Sequence, residues 1–507
     1  MFQLWEVKVD GGNGKEIYGD EYADIWAMNR LHYKAATHGK CDHFHDGLGF
    51  LVSHTIISNT FEFSLQLINP KLTLPYWDFT IENSASARIA SDPKSPHTKT
   101  PLLQPSWFGT FDVNDQVVKD GRWAYTEVPF ARENNPGALE ADVYGRLRSP
   151  WNMNSRKYMA RGGGKMCHLN TDEVIPWPTC ENHYDLVTAF DSFYGWVWEG
   201  MGTPHAPVHF WSGGVLDCAS TFHKVEALVG SDLAKNFVFL ANAYRKAMFC
   251  DGSWGCNGHV DVDMDVFEIA ESGICGCLGY DLTQGDDYKE VMTTMSYIEV
   301  FLEDFDEDIK RQVVQTICGG VISYGENGQS SSSMDPMFWP IHPTMERMWQ
   351  FSVVTGKIKD FNWPDNDVTV TLPSGETYTQ VTSSYYDFCE GHRGSDVFPY
   401  GLLDTDDDGF KTQTGISGGT SSNIPTNREV LEALSPQSNS LTYIYDNFKW
   451  PHCIADGFDF DDAWWVTRSV DSVDRRLFER DAPTGRLYTK FKRDMVDLME
   501  ERARNKS

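Results

Sequence analysis

Three histidine-bearing stretches could do chemistry: CDHFHDGLGFLVSH at 41–54, GTPHAPVHFWSGG at 202–214 and DPMFWPIHPTMERMW at 335–349. His205 and His209 are spaced i, i+4. A helix would put both imidazoles on one face, a common way to hold a transition metal. A bare pair at this spacing often arises by chance, and two core or surface histidines are the plainer explanation. The surroundings weigh against that explanation, because Phe210, Trp211 and the Gly213–Gly214 pair make the neighbourhood apolar and tightly turned. His32, His45, His54 and His342, each taken alone, read as ordinary core histidines. Six inward histidines together do not, because a neutral imidazole cluster has few partners for its nitrogens other than a metal and the acceptors behind the ligands. An all-imidazole donor set suits copper, zinc or iron rather than magnesium or calcium.

Such ligands need rigid elements behind them. EYADIWAMNRLHYKAA (21–36) is predicted to be helical, with Ile25, Met28, Leu31 and His32 on one face. HTIISNTFEFSLQLI (54–68) is predicted to be a second helix, with His54, Ile57, Phe61, Leu65 and Ile68 on its inner face. Asn69 and Pro70 end it. Residues 185–200, 219–249 and 290–318 carry further helical patterns, whereas 81–180 is rich in Pro, Gly and Asn and reads as long loops. Past about residue 355 the texture changes. DVTVTLPSGETYTQVTSS alternates around PSG and predicts a hairpin, 415–423 a flexible loop, and the last stretch a charged surface helix. The expected division is a catalytic part at 1–355 with a cysteine-rich insertion at about 215–330, then a C-terminal region at 356–507.

A formal net charge of −30 and a pI near 4.8 exclude a phosphate backbone as an expected partner. No window approaches ~18 consecutive apolar residues, so no membrane span is expected. The first residues lack the apolar core of a signal peptide. The chain is therefore expected to stay inside the cell or to begin after a trimmed leader. Four of the 11 cysteines crowd into 250–277, where the spacing fits disulfides or free thiols better than any zinc template.

The segments resemble the type 3 copper proteins, meaning tyrosinases, catechol oxidases and hemocyanins. FLVSHTIISNTFEFSLQLINPKLTLPYWDFT resembles the first copper motif, through Phe50, Leu51, His54, Phe61, Glu62 and the LPYWD of Leu74 to Asp78. HAPVHFWSGG is similar to the start of the second copper motif and DPMFWPIHPTMERMW to its end. The resemblance covers about 25–80, 195–215 and 330–350. It implies a mainly α fold: a four-helix bundle holding a dinuclear copper site, with long irregular loops and a smaller, partly β C-terminal region at 356–507 that would shield the active site. His32, His45 and His54 would hold copper A, and His205, His209 and His342 copper B. For the first copper A ligand His38 and His43 compete with His32, which is favoured by its place on a helix. The Cys41–His43 spacing invites comparison with a cysteine–histidine link that some family members carry.

Several positions depart from the family pattern. Ile341 replaces the first of two adjacent histidines, Glu346 takes the place of an aspartate, and Ala206 stands where an asparagine often follows the first copper B histidine. The stretch between His209 and His342 is unusually long and offers His223 and His259 as rival ligands. The resemblance implies oxidation of o-diphenols to o-quinones with O2 as co-substrate. An ortho-hydroxylation of monophenols could precede it, and Glu199 would hold a catalytic water. Asp335 and Glu346 would orient ligands from behind. The expected partners are a small phenol and O2, with no nucleic acid and no membrane; oligomeric state stays open. Two other readings use the same residues: a hemocyanin-like O2 carrier, and a mononuclear zinc or iron enzyme built on 205, 209 and 342 alone. DTDDDGF at 404–410 opens like a calcium loop, so Asp404–Gly409 could hold calcium, but Gly415 stands where the loop needs a glutamate.

Overall fold

The computed structural model describes residues 1–461, apart from 10, 38–41, 85–99, 113, 132–140, 168–176, 259–271, 295, 366–367, 372–376, 381–388, 390, 397–424, 439–440 and 442. Two short turns, Gln3–Glu6 and Gly14–Tyr18, precede helix α1 (Ile25–Thr37) and helix α2 (Gly49–Ile68). α1 starts at Ile25, later than the pattern suggests, because the Asp24 carboxylate caps it by accepting from the Ala27 N–H at 2.8 Å. α2 starts five residues before His54. Its opening glycine has a steric reason, since a Cβ on Gly49 would lie 2.8 Å from the carbonyl oxygen of Gly391.

After α2 the chain is irregular as far as α3 (Cys180–Ala189), with a short 3-10 turn at Pro101–Leu103. α4 (Phe193–Gly200) follows, and a kinked turn, Met201–His205, feeds α5 (Ala206–Gly213). The helix expected over 185–200 is thus two helices. Ser192, whose hydroxyl accepts from the Gly195 N–H, caps the second.

The stretch expected as an insertion is largely helical, and its apolar core also takes in Val143, Tyr144, Trp151, Met153 and Met166 from the preceding irregular chain. α6 (Ala219–Val229) and α7 (Ser231–Asp251) meet at Gly230, and α8 (Asp287–Thr294), α9 (Ser296–Phe301) and α10 (Glu307–Gly319) pack against them. Strands β1 (Trp254–Cys256) and β2 (Cys275–Cys277) pair antiparallel. The expectation of disulfides among the crowded cysteines holds for three of them: Cys256 pairs with Cys275, and Cys277 with Cys318. Cys167–Cys218 and Cys180–Cys453 are further bridges.

α11 (Phe338–Val354) runs through the main core, and all but its last residue are buried. The LPYWD segment docks on it. The Trp77 N–H donates to the Pro340 carbonyl at 2.9 Å, and the Thr344 hydroxyl donates to the Trp77 carbonyl. Phe61 of α2 stacks on Trp339 at 3.8 Å. Glu62 accepts from the Leu74 N–H at 2.7 Å, which ties the end of α2 to the same segment. β3 (Val368–Thr371) and β4 (Thr377–Gln380) form the expected hairpin, and α12 (Asn427–Ala433) packs near α2. The main apolar core crosses residue 355, because Ile358, Trp363, Val430, Leu431, Trp450 and Phe460 belong to it. The predicted loop at 415–423, the terminal helix and Asp404–Gly409 lie outside the described residues. No helix among them is long and apolar enough to cross a membrane.

Candidate metal centre

Two histidine triads lie side by side in the core. In each, the ligand atoms of all three residues fall within 4.8 Å of one another: His32, His45 and His54 in one, His205, His209 and His342 in the other. The triads adjoin. The His54 and His342 rings stack at 4.3 Å with an interplanar angle of 11°.

Each ring is held by one nitrogen. His32 Nδ1 meets the Ser330 carbonyl at 2.8 Å, His54 the Phe50 carbonyl at 2.7 Å and His209 the Asn327 carbonyl at 2.9 Å. His205 Nδ1 meets the Met201 carbonyl at 3.2 Å, and His342 the Phe338 carbonyl at 3.1 Å. His45 differs, because its Nδ1 lies 3.0 Å from a carboxylate oxygen of Asp42. A carbonyl only accepts, so these contacts fix the proton on Nδ1 and leave the Nε2 lone pair pointing inward.

The inward nitrogens are the test of whether a metal fits. Nε2 of His32, His54 and His209 is buried with no hydrogen-bond partner. His205 and His342 face each other Nε2 to Nε2 at 3.1 Å. Two lone pairs at that distance repel unless a cation lies between or beside them. Orphaned buried acceptors are costly, and borderline metals answer this donor chemistry directly. The residues fit a metal pair.

Burial also favours the neutral form of the five rings held by backbone carbonyls, as ligands must be. Desolvation pushes His32 down to about 3 and His209 down to about 4, and it holds His54, His205 and His342 well below the ordinary imidazole range. Two phenylalanines wall the centre: Phe50 lies 4.5 Å from the His205 ring, and Phe338 lies 4.1 Å from that of His342.

The carbonyls that hold His32 and His209 belong to the segment 326–335, which buried ion pairs immobilise. Arg148 bonds to Glu326, whose second oxygen accepts from the Ala160 N–H at 2.6 Å. Arg161 grips Asp335 with two bonds of 2.8 Å. A close backbone approach seals the join, since a Cβ on Gly213 would lie 2.2 Å from the Gly328 nitrogen.

Other expected residues fall elsewhere. Asp335 and Glu346 were expected to orient ligands. Instead Asp335 pairs with Arg161 and accepts from the Met337 N–H, while Glu346 accepts from the Tyr443 and Tyr445 hydroxyls and from Gln350. Glu199 is half-buried on α4, and Ala206 opens α5. His43 is half-buried and falls outside both triads, and His223 is on an exposed helix face beside Glu226. His38 and His259 lie outside the described residues. Sequence reasoning did not find Asp42. The signal was present, in an aspartate placed to close a turn over the next two residues of CDHFH.

Residues 19–227 match the family model described as the common central domain of tyrosinase. A grixazone synthase of Streptomyces griseus subsp. griseus is 26% identical over 203 residues, covering 34% of this chain and 57% of that relative's length.

Proposed function

Because the chain belongs to the type 3 copper tyrosinase family, we propose that it is a phenol oxidase that takes o-diphenols to o-quinones with O2. Family membership implies two copper ions, and bound copper would supply the two-electron exchange with O2. We assign His32, His45 and His54 to copper A and His205, His209 and His342 to copper B. The observation that carries this assignment is the convergence of Nε2 atoms, each backed by an Nδ1 contact. Two diphenols lose two protons and two electrons each, and one O2 becomes two waters.

The chain's own residues restrict access and orient the phenol. Phe50 and Phe338 make the walls apolar, which suits an aromatic ring and excludes water. His45 is the most open of the six, its side chain 24% exposed, so the copper A edge is the side a substrate would meet. That opening favours an enzyme over a closed O2 carrier. Ala206 has no polar group to help deprotonate a monophenol; Glu199, about two turns earlier, would be the base for that step. Diphenol oxidation is therefore the principal activity proposed. We place the catalytic part at 1–355 and propose that the C-terminal region at 356–507 shields the active site.

The test is elemental analysis of the metallated chain, followed by parallel assays with catechol and tyrosine. Two coppers per chain with turnover of catechol and little of tyrosine is the expected result. A single copper, or zinc alone, would overturn the dinuclear assignment. Two coppers without turnover would support a carrier, and tyrosine turnover matching that of catechol would remove the argument from Ala206.

A further inference from the structure

Backbone carbonyls hold five of the six imidazoles, and a carboxylate holds His45. We propose that Asp42 and Lys246 are positioning residues for copper A: Lys246 anchors the Asp42 carboxylate, and Asp42 fixes and strengthens His45 as a ligand. This rests on the assignment of His45 to copper A.

His45 needs such support more than the others do. It lies in an irregular segment between α1 and α2, so no helix sets its direction. Asp42 replaces the helix. Its Oδ1 accepts from the N–H groups of Phe44 at 2.9 Å and His45 at 2.7 Å, which closes a tight turn. Its two oxygens then lie 3.1 and 3.0 Å from His45 Nδ1, so one side chain fixes both the backbone and the ring of the ligand.

Asp42 is only 2% exposed, and a buried carboxylate is costly without a cation. The cation comes from the insertion. Lys246, on α7, donates to Asp42 Oδ2 at 2.7 Å and also pairs with Asp46. From the C-terminal side, His392 Nε2 donates to the Asp42 carbonyl at 2.7 Å, and its Nδ1 accepts from the Gly49 N–H at 3.1 Å. Two parts of the chain outside the matched central domain thus converge on one ligand loop. The chemical effect goes beyond geometry. A carboxylate behind an imidazole enriches its far nitrogen and makes it a better donor, and losing such a partner typically lowers metal affinity about 10–100-fold.

The experiment loads the full-length chain with copper, dialyses it against graded concentrations of a chelator, and reads copper per chain. Electron paramagnetic resonance reports any lone Cu(II), and circular dichroism checks folding. Asp42→Asn and Lys246→Met are expected to release one copper of two at roughly 10–100-fold lower chelator than the unaltered chain, leaving a lone Cu(II) signal. Lys246→Arg should restore retention. Asp46→Asn, which removes the pairing of Lys246 with Asp46, should keep both coppers. Retention by Asp42→Asn and Lys246→Met equal to that of the unaltered chain would overturn the proposal. So would release by Asp46→Asn matching that by Asp42→Asn. Fewer than two coppers in the unaltered chain would remove the dinuclear assignment itself.

Discussion

Glu346 stands one turn beyond His342, enclosed by α11 and the segment that carries Tyr443 and Tyr445. Burial pushes its carboxyl up to about 7, against the pull of hydrogen bonds from Tyr443, Tyr445 and Gln350, and the nearby Glu62 adds to the rise. The native state therefore binds this proton more tightly than the unfolded chain does. The stability it contributes is complete below the ordinary carboxylate range and is lost as pH rises through about 7. Glu346→Gln keeps an acceptor and removes the charge. The variant should match the parent near pH 4 and exceed it at pH 8 by on the order of 3 kcal/mol, as read from denaturant unfolding at both pH values. A constant difference across that range would show that Glu346 is not protonated in the fold.

At the scale of elements, the segment 326–335 matters as much as the helices it joins. It has only two short 3-10 turns, Glu326–Gly328 and Ser332–Met334, yet it supplies the carbonyls for His32 and His209. Arg161→Met would leave Asp335 buried and unpaired. The expected cost is about 3–5 kcal/mol, with loss of copper before loss of helicity on heating. Retention of copper up to the unfolding midpoint would argue against a bracing role. The helices themselves were largely legible in the chain. The faces carrying His32 and His54 repeat at helical spacing, and LPYWD and DPMFW stand out as motifs, although the docking of Trp77 on α11 does not follow from either. The start of α2 was misplaced because a glycine that opens a helix under an opposing backbone looks like any loop glycine. The carbonyls behind the ligands were not legible at all, since every residue has one and only the fold selects Asn327 and Ser330. The Asp42–Lys246 contact joins residues 204 positions apart and leaves no periodic trace.

The described C-terminal residues are fastened to the core at several points. Arg347 donates to the carbonyls of Asn447 and Lys449, lies 3.9 Å from the Trp450 ring centroid and pairs with Asp78. The Cys180–Cys453 bridge closes a loop of 273 residues. Cys453→Ser should lower stability by about 2–4 kcal/mol and expose the chain near residues 450–461 to limited proteolysis. Unchanged cleavage would mean that Arg347 and the aromatic contacts suffice alone.

The Ser330 and Asn327 contacts bear on the order in which the protein can be made. The imidazoles of His32, His45 and His54 are all translated before Ser330, whose carbonyl aligns the first of them. The ring of His32 stays unaligned until Ser330 has been synthesised and folded back onto it. The triad of His205, His209 and His342 closes only with His342, after residues 215–330 have been translated. A nascent chain that has not yet reached Ser330 thus offers loose imidazoles instead of a finished pocket. Metallation is in this sense a report that synthesis has passed the insertion and that the two ends of the domain have met.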